Sequence, residues 1–467
     1  MWLLVLTVVH RRVSGEVGVA QSDTTVTYTH PDASVPTSLV FVHLSDLHFR
    51  EPESGLAQRE AMLRNRLLDD TPKAVALTDA KKVTAILVSG DIARSGQRAE
   101  YVEARTWLDR LCDRLGLDST QTLTCPGNHD VDWTRLSDAR KTTNAALRTC
   151  LTYLLDAEID GMLADPDEVL APIEPYQEFA AGSACSIEKF LAWDLPPLPL
   201  AGGYSLAIRG ASSIINSDAG DGAGTMAVQK NQLQVEHDPG VIRMLLIHHS
   251  PYFWRRENPR PGKCGNHVVL YGHTHEATHQ VVDGTCLEIT AGAVHPEETE
   301  AFAVPSYNVI EVSVEEPDDT PANVALVRIR VFHRSFSAQD DQFLDQGPAP
   351  SINEVVRILR VNAPDWTPEP SDNGGMSGVA EPQPPLQTSE GAPDPHRLVL
   401  SRYQRLGAGD RLRVLDRLGI PRAEIQVLSP HKQIREVANR VTNSDQLAAF
   451  LNAAAEIEAA DAAGRDF

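Results

Sequence analysis

Short strand-like runs alternate with longer helix-like stretches in the first third of the chain. Residues 39–42, 83–88 and 122–125 are rich in apolar residues, as expected for strands buried on both faces of a sheet. The stretches between them, 56–70 and 97–115, have helical composition. Because strand and helix alternate, the sequence predicts an α/β fold built on a parallel sheet with crossover helices.

The middle of the chain departs from this rhythm. Residues 131–200 read as a mostly helical insertion, which is either a lid over a site or a peripheral helical layer. Further strands are predicted at 204–209, 211–215, 241–247 and 268–271, and antiparallel strands within 279–290 and 305–334. These later strands should complete the sheet structure.

Composition divides the chain into segments. A Pro/Gly-rich stretch reads as a flexible linker with room for one short strand or helix between Ile352 and Val361, and the stretch after it is dense in helix formers. The predicted order is a disordered or over-extended start at 1–36, an α/β domain at 37–336 with the insertion 131–200, a linker at 337–394 and a small all-α bundle at 395–467. The apolar start carries its basic residues after the run, which disfavours a secretory signal.

The net charge of -22, from 42 Lys plus Arg against 64 Asp plus Glu, limits the partners we expect. Such a charge disfavours broad binding to nucleic acid or to an anionic membrane. The six cysteines are scattered without paired spacing, which fits reduced thiols. We therefore expect a cytoplasmic protein that has no membrane contact.

Polar side chains cluster where the predicted strands end. Since ligands bind beyond the carboxyl ends of parallel strands, these side chains should share one site. They are Asp46 and His48, Asp91, Asn128 with His129 and Asp130, His248 with His249, and His273 with His275. Glycines 90, 127 and 272 directly precede three of these groups and permit close backbone approach.

The chemistry of these side chains points to metal ions. Carboxylate oxygens mixed with imidazole nitrogens suit Zn, Mn or Fe. One Asp-x-His or His-x-His pair would more often be a capped turn or a solvated face, but several such motifs at strand ends together argue for a site. Seven side chains are too many for one ion and suit two ions that share a bridging carboxylate: Asp46, His48, Asp91, Asn128, His248, His273 and His275.

This ordered set of motifs resembles the calcineurin-like metallophosphoesterase superfamily over residues 38–334. The resemblance implies a four-layer αββα sandwich in which a water activated by two metal ions attacks a phosphoester. It implies that one ion is held by Asp46, His48, Asp91 and His275, and the other by Asp91, Asn128, His248 and His273. It further implies that His129 protonates the leaving group or holds the phosphate, with Asp130 orienting its ring, while His249 is a supporting or structural residue.

The substrate is less closely indicated. Arg94 is either a contact to a phosphate oxygen or a solvated loop arginine, and Trp133, Tyr252, Phe253 and Trp254 either wall a substrate cleft or pack internally. The motif spellings look most like the bacterial branch that includes cyclic-nucleotide phosphodiesterases, which favours a small phosphodiester substrate. The alternative is a nuclease similar to the double-strand-break repair branch, which the acidic charge disfavours.

A third hypothesis gives the enzyme a recruiting domain. The helices predicted within 395–467 loosely resemble death-like, effector-associated adaptor domains of bacterial signalling and defence proteins. That resemblance implies a protein partner or self-association through this domain, and an ordinary helical appendage or oligomerisation bundle is the plain alternative.

Overall fold

The computed structural model describes most of residues 35–345, one strand beyond them and parts of 399–463. The described ranges before residue 399 are 35–51, 57–150, 154–165, 169–183, 185–187, 191–236, 238–255, 260–282, 286–296, 304–315, 324–345 and 357–362. Nearly all of the predicted N-terminal segment and much of the predicted linker lie outside them. Among the described residues, no helix combines the length and apolarity that a membrane crossing requires.

Fourteen strands and eight α-helices make up the described structure. The strands are β1 Ser38–Leu44, β2 Ala85–Val88, β3 Thr122–Thr124, β4 Ala192–Asp194, β5 Leu198–Pro199, β6 Ser205–Ala211, β7 Val241–Leu246, β8 Val268–Tyr271, β9 Thr278–Val282, β10 Cys286–Thr290, β11 Ser306–Glu315, β12 Val324–Ser337, β13 Gln342–Leu344 and β14 Arg357–Asn362. The helices are α1 Ala57–Val75, α2 Arg98–Leu115, α3 Asp138–Thr149, α4 Leu155–Met162, α5 Glu174–Ala181, α6 Lys230–Leu233, α7 Ala408–Leu418 and α8 Leu447–Ala463.

The strands form two mixed sheets. The first has the order β13-β12-β11-β1-β2-β3, with β14 also pairing β12, and its β1, β2 and β3 run parallel as the alternating pattern predicts. The second has the order β4-β6-β7-β8-β10-β9, with β5 pairing β6, and its β6, β7, β8 and β10 are parallel. The carboxyl ends of parallel strands in both sheets can therefore contribute to one site.

Alternate side chains of β7 are buried in different clusters, which shows that both faces of the second sheet are covered. Met244 and Leu246 belong to the large core that also contains β1, β2 and the inner faces of α1 and α2. Leu245 and Ile247 face a separate cluster that includes Leu233 of α6. Two sheets with flanking helices confirm the predicted αββα sandwich, with a short helix and loops in the layer outside the second sheet.

The predicted strand at 211–215 is wrong beyond its first residue. The chain leaves the sheet at Ala211, and the carbonyl of Ser212 accepts a hydrogen bond from Gln232 Nε2 at 2.7 Å. The hydroxyl of Ser213 pairs with His249 Nδ1 at 2.8 Å. Because these polar groups bind side chains, the segment is a loop at the carboxyl end of β6.

The insertion packs into the main core as a helical layer. Leu147 of α3, Ile159 of α4 and Tyr176 of α5 are buried in the same cluster as the first sheet. The hydroxyl of Tyr176 also donates to the carbonyl of Thr124 at the end of β3, at 3.1 Å. These contacts are those of a peripheral layer, and the end of the insertion contributes β4 and β5 to the second sheet, which the helical prediction missed.

The first sheet continues into the range predicted as linker. β13 and β14 both pair with β12, and Phe343 of β13 is buried against Tyr307 with ring centroids 5.4 Å apart. The α/β unit accordingly includes β14, which ends at Asn362. The short element expected between Ile352 and Val361 is confirmed as a strand, whereas β13 was not predicted.

The remaining described residues form a second, helical unit. Its helices α7 and α8 contact each other and bury Val414, Leu415, Phe450 and Ala454. Other parts of the bundle predicted for 395–467 lie outside the described residues.

We predict that a chain ending at Trp366 is more stable than one ending at Ser337. The shorter chain loses Phe343 and the backbone pairing of β13 and β14, and burial of one Phe side chain alone is worth about 1.5–3 kcal/mol. Thermal unfolding followed by circular dichroism should show the difference. Equal melting temperatures would mean that these two strands contribute nothing to the sheet.

Candidate metal centre

The site begins with an unusual backbone conformation at the strand ends. Eight non-glycine residues in the described part of the chain have positive φ, and five of these are predicted metal ligands. The five are Asp46 (54°), His48 (44°), Asp91 (53°), His273 (68°) and His275 (57°). Left-handed backbone costs roughly 1 kcal/mol or more per residue, and such outliers concentrate at functional sites. The predicted ligands are therefore held in conformations that the surrounding structure must enforce.

Hydrogen bonds between loops enforce these conformations. The N–H groups of Asp46 and His48 donate to the carbonyls of Gly90 (3.1 Å) and Asp91 (3.0 Å). Two further bonds join the sheets, since His248 Nδ1 donates to the carbonyl of Ser89 at 2.7 Å and the N–H of His273 donates to Asp46 Oδ2 at 3.1 Å. The loops after β1, β2, β7 and β8 thus form one connected surface.

The predicted ligands converge on this surface. Six of the seven belong to groups whose ligand atoms lie within 4.8 Å of one another. The groups are Asp46 with His48 and His275, Asp46 with Asp91 and His248, His48 with Asp91 and His129, and His248 with His249 and His273. Asp91 shares a group with residues of both predicted ion positions, as a bridging carboxylate must.

Buried atoms without partners show that these residues fit metal ions. Both ring nitrogens of His48 and Oδ1 of Asn128 are buried and have no hydrogen-bond partner among the described residues. Leaving such an atom unsatisfied costs about 1–3 kcal/mol. A neutral imidazole nitrogen and an amide oxygen are both good ligands for divalent cations. The unpartnered Oδ1 of Asn128, the seventh predicted ligand, is thus also available to a cation.

Charge is arranged to suit cations as well. Burial lowers the pKa of His48 well below its usual value and lowers that of His273 to about 3, so both rings are neutral. Burial would raise the pKa of Asp91, but the neighbouring rings of His248 and His129 outweigh it and hold the carboxylate ionised. The negative charge of the nearby Asp91 outweighs the effect of burial on His248 and raises the pKa of His248 to about 9.

His129 stands beside this group, half-buried, with Arg94. Its Nδ1 donates to the carbonyl of Arg94 at 2.8 Å, and its Nε2 lies 3.2 Å from Arg94 Nη1. The backbone N–H of His129 donates to Asp91 Oδ1 at 2.8 Å. Arg94 therefore lies at the site, and its backbone carbonyl fixes the orientation of the His129 ring.

Asp130 does not have the predicted role of orienting that ring. Its buried carboxylate accepts hydrogen bonds from the N–H groups of Ile92, Ala93 and Gly127 and from the hydroxyl of Tyr101. Burial and the nearby Asp91 raise its pKa to about 6. Asp130 ties the loop after β3 to the loop after β2, because the donors that face it come from the backbone of both loops.

The predicted aromatic residues fall into three environments. Phe253 packs edge-on against His273 with ring centroids 4.3 Å apart, and Tyr252 packs on Phe253. Trp254 is buried in the cluster outside the second sheet, so it is a core residue. Trp133 is 40% exposed. Phe253 therefore contacts a predicted ligand directly, and Tyr252 supports Phe253.

Ser213 lies at the edge of the site, although it was not among the predicted site residues. It was predicted within a strand, whereas its hydroxyl pairs with the buried His249 at the edge of the site. A polar pair following a strand, Ser212-Ser213, was the signal available, since the other site residues also follow strand ends.

We predict that Gly272→Ala damages the site. A Cβ atom there would lie 1.9 Å from Ser45 Oγ and 3.0 Å from Asp46 Oδ2. The substitution should cost about 1–3 kcal/mol of stability and lower the content of bound divalent cations. The control is Gly161→Ala in α4, where a Cβ meets nothing within 4 Å. Unchanged melting temperature and cation content in Gly272→Ala would contradict the close approach.

Residues 39–277 match the family model of calcineurin-like phosphoesterases. No curated protein matches the chain significantly. Similar solved structures include a dimetal phosphatase from Danio rerio, with 12% identity over 65% of this chain and 100% of that chain and a TM-score of 0.31. They also include Vps29 complexed with zinc from Entamoeba histolytica (10% identity, 69% of this chain, 99% of that chain, TM-score 0.27). A putative 5′-nucleotidase from Staphylococcus aureus is similar too (12% identity, 72% of this chain, 56% of that chain, TM-score 0.29).

The family match and the converging His and Asp side chains support a phosphoester hydrolase that uses divalent metal ions. The matched region spans about half of the chain and contains all seven predicted ligands together with Arg94, His129 and Asp130. The chain belongs to the calcineurin-like phosphoesterase family.

Proposed function

We propose that this protein hydrolyses a small phosphodiester, such as a cyclic nucleotide, at a centre of two divalent metal ions. The observation that carries the proposal is the convergence of the ligand side chains, with Asp91 common to two groups. When bound, two cations supply charge stabilisation to the phosphate and activation of the attacking water. Manganese, iron and zinc all suit the mixture of oxygen and nitrogen ligands.

The residues divide between the two ions around Asp91. Asp46, His48 and His275 would hold one ion, and their grouping within 4.8 Å supports this. Asn128, His248 and His273 would hold the other, and the unpartnered Oδ1 of Asn128 supports its inclusion. In both cases Asp91 would supply the shared carboxylate.

His129 and Arg94 would act on the substrate side. The guanidinium of Arg94 carries a fixed positive charge next to the His129 ring, and both side chains are only partly buried. A phosphate oxygen at this edge would receive hydrogen bonds from the Arg94 guanidinium. The ring nitrogen Nε2 of His129 would then be placed either to hold the phosphate or to protonate the leaving alcohol.

A small substrate fits the charge of the molecule better than a nucleic acid does. A protein with a net charge of -22 repels a polyanion beyond the immediate site, whereas a single phosphodiester meets only the local cations. The nuclease alternative would need a basic surface in addition to Arg94. Single-stranded DNA is therefore the substrate class to compare directly with cyclic nucleotides.

We predict that Asp91→Asn nearly abolishes hydrolysis of bis-p-nitrophenyl phosphate and of a cyclic nucleotide. The amide keeps the shape of the side chain but removes the negative charge that two ions would share, so bound metal should also fall. Activity and metal content are measured on the same preparations, with chelated and manganese-restored wild type for comparison. Full activity together with full metal content in this variant would contradict the two-metal centre.

We predict that His129→Ala retains its metal ions but loses turnover. If His129 protonates the leaving group, the loss should be about 10²–10⁴-fold on an alkyl ester and much smaller on an activated aryl ester. Asp130→Asn is the matched control, because it weakens loop contacts without touching the leaving group. Equal losses on both esters would assign His129 to phosphate positioning instead.

A further inference from the structure

His249 is held firmly in place beside the metal centre. It follows the predicted ligand His248 just after β7 and is fully buried. Its N–H donates to Ser213 Oγ at 3.1 Å, its carbonyl accepts from Trp254 Nε1 at 2.9 Å, and its ring Nδ1 pairs with Ser213 Oγ at 2.8 Å. Because backbone and ring are both fixed, the orientation of the second ring nitrogen is fixed too.

That second nitrogen, Nε2, is buried and has no hydrogen-bond partner among the described residues. One ring nitrogen of His249 lies within 4.8 Å of ligand atoms of both His248 and His273. Since Ser213 occupies Nδ1, Nε2 is the nitrogen left for a ligand. The rings of His249 and His273 are also close, with centroids 4.3 Å apart.

A purely structural role explains these facts less well. The His249 ring packs near Phe253, with centroids 5.7 Å apart, and an apolar ring of similar size would fill that space. Such a ring would avoid an unsatisfied buried nitrogen, which costs about 1–3 kcal/mol. A ligand for Nε2 removes that cost.

We propose that His249 Nε2 is a further ligand of the metal ion held by His248 and His273. The inference rests on the two-metal centre proposed above and adds to it a difference between the two positions. One ion would be bound by three imidazoles, those of His248, His249 and His273. The other would be bound by the carboxylate of Asp46 and by two imidazoles, those of His48 and His275. Imidazole nitrogen suits zinc and iron, and carboxylate oxygen suits manganese. The nitrogen-rich position should therefore favour zinc or ferrous iron more strongly than its neighbour does.

The test is metal binding by His249→Phe in the full chain. Apoprotein prepared by chelation is titrated separately with Zn²⁺ and Mn²⁺ by calorimetry, and with Co²⁺ by visible absorption. Loss of a supporting partner alone typically costs about 10–100-fold in metal affinity, so loss of a ligand should weaken Zn²⁺ at one of two positions by at least about tenfold. The Zn²⁺-to-Mn²⁺ affinity ratio of that position should fall, and its Co²⁺ absorption should change.

His333→Gln is the matched control, because His333 is a buried histidine of β12 that lies in none of the metal-binding groups. It should leave both metal affinities unchanged. His249→Gln repeats the test if His249→Phe does not fold, as judged by circular dichroism. Two ions bound by wild type and variant with equal affinity and identical Co²⁺ spectra would overturn the assignment of His249 alone. Failure of wild type to bind any divalent cation would overturn the two-metal centre as well.

Discussion

The structure depends on the close approach of the loops that carry the predicted metal ligands, which leaves no room for extra atoms between them. Five of the predicted ligands adopt left-handed backbone at the ends of strands. At roughly 1 kcal/mol each, their conformations together cost on the order of 5 kcal/mol, which is comparable with the net stability of a typical domain. Buried sheets on both sides and hydrogen bonds between the loops offset that cost.

Close approach of the loops explains why glycine precedes several ligands. A Cβ atom on Gly127 would lie 2.2 Å from Asp91 Oδ1, and one on Gly272 would lie 1.9 Å from Ser45 Oγ. At these two positions the backbone itself forms the wall behind the ligands. The glycines are therefore part of the geometry of the site, even though they carry no ligand atom.

The sequence predicted where the strands end and which polar side chains follow them, because both depend on local pattern. Apolar runs ending in Asp46, Asp91 or His248 are visible along the chain, and parallel strands place their carboxyl ends together. Long-range partners are not visible in this way. Asp130 accepts bonds from backbone groups 37 and 38 residues away, and the pairing of His249 with Ser213 joins residues 36 apart.

The central claim is that Asp91 lies between two metal ions, and anomalous X-ray scattering from crystals grown with Mn²⁺ tests it most directly. Data collected on both sides of the manganese absorption edge should show two peaks about 3.5–4 Å apart. Asp91 should lie between them, with His48 and His275 at one peak and His248 and His273 at the other. A single peak, or peaks that do not contact Asp91, would contradict the account.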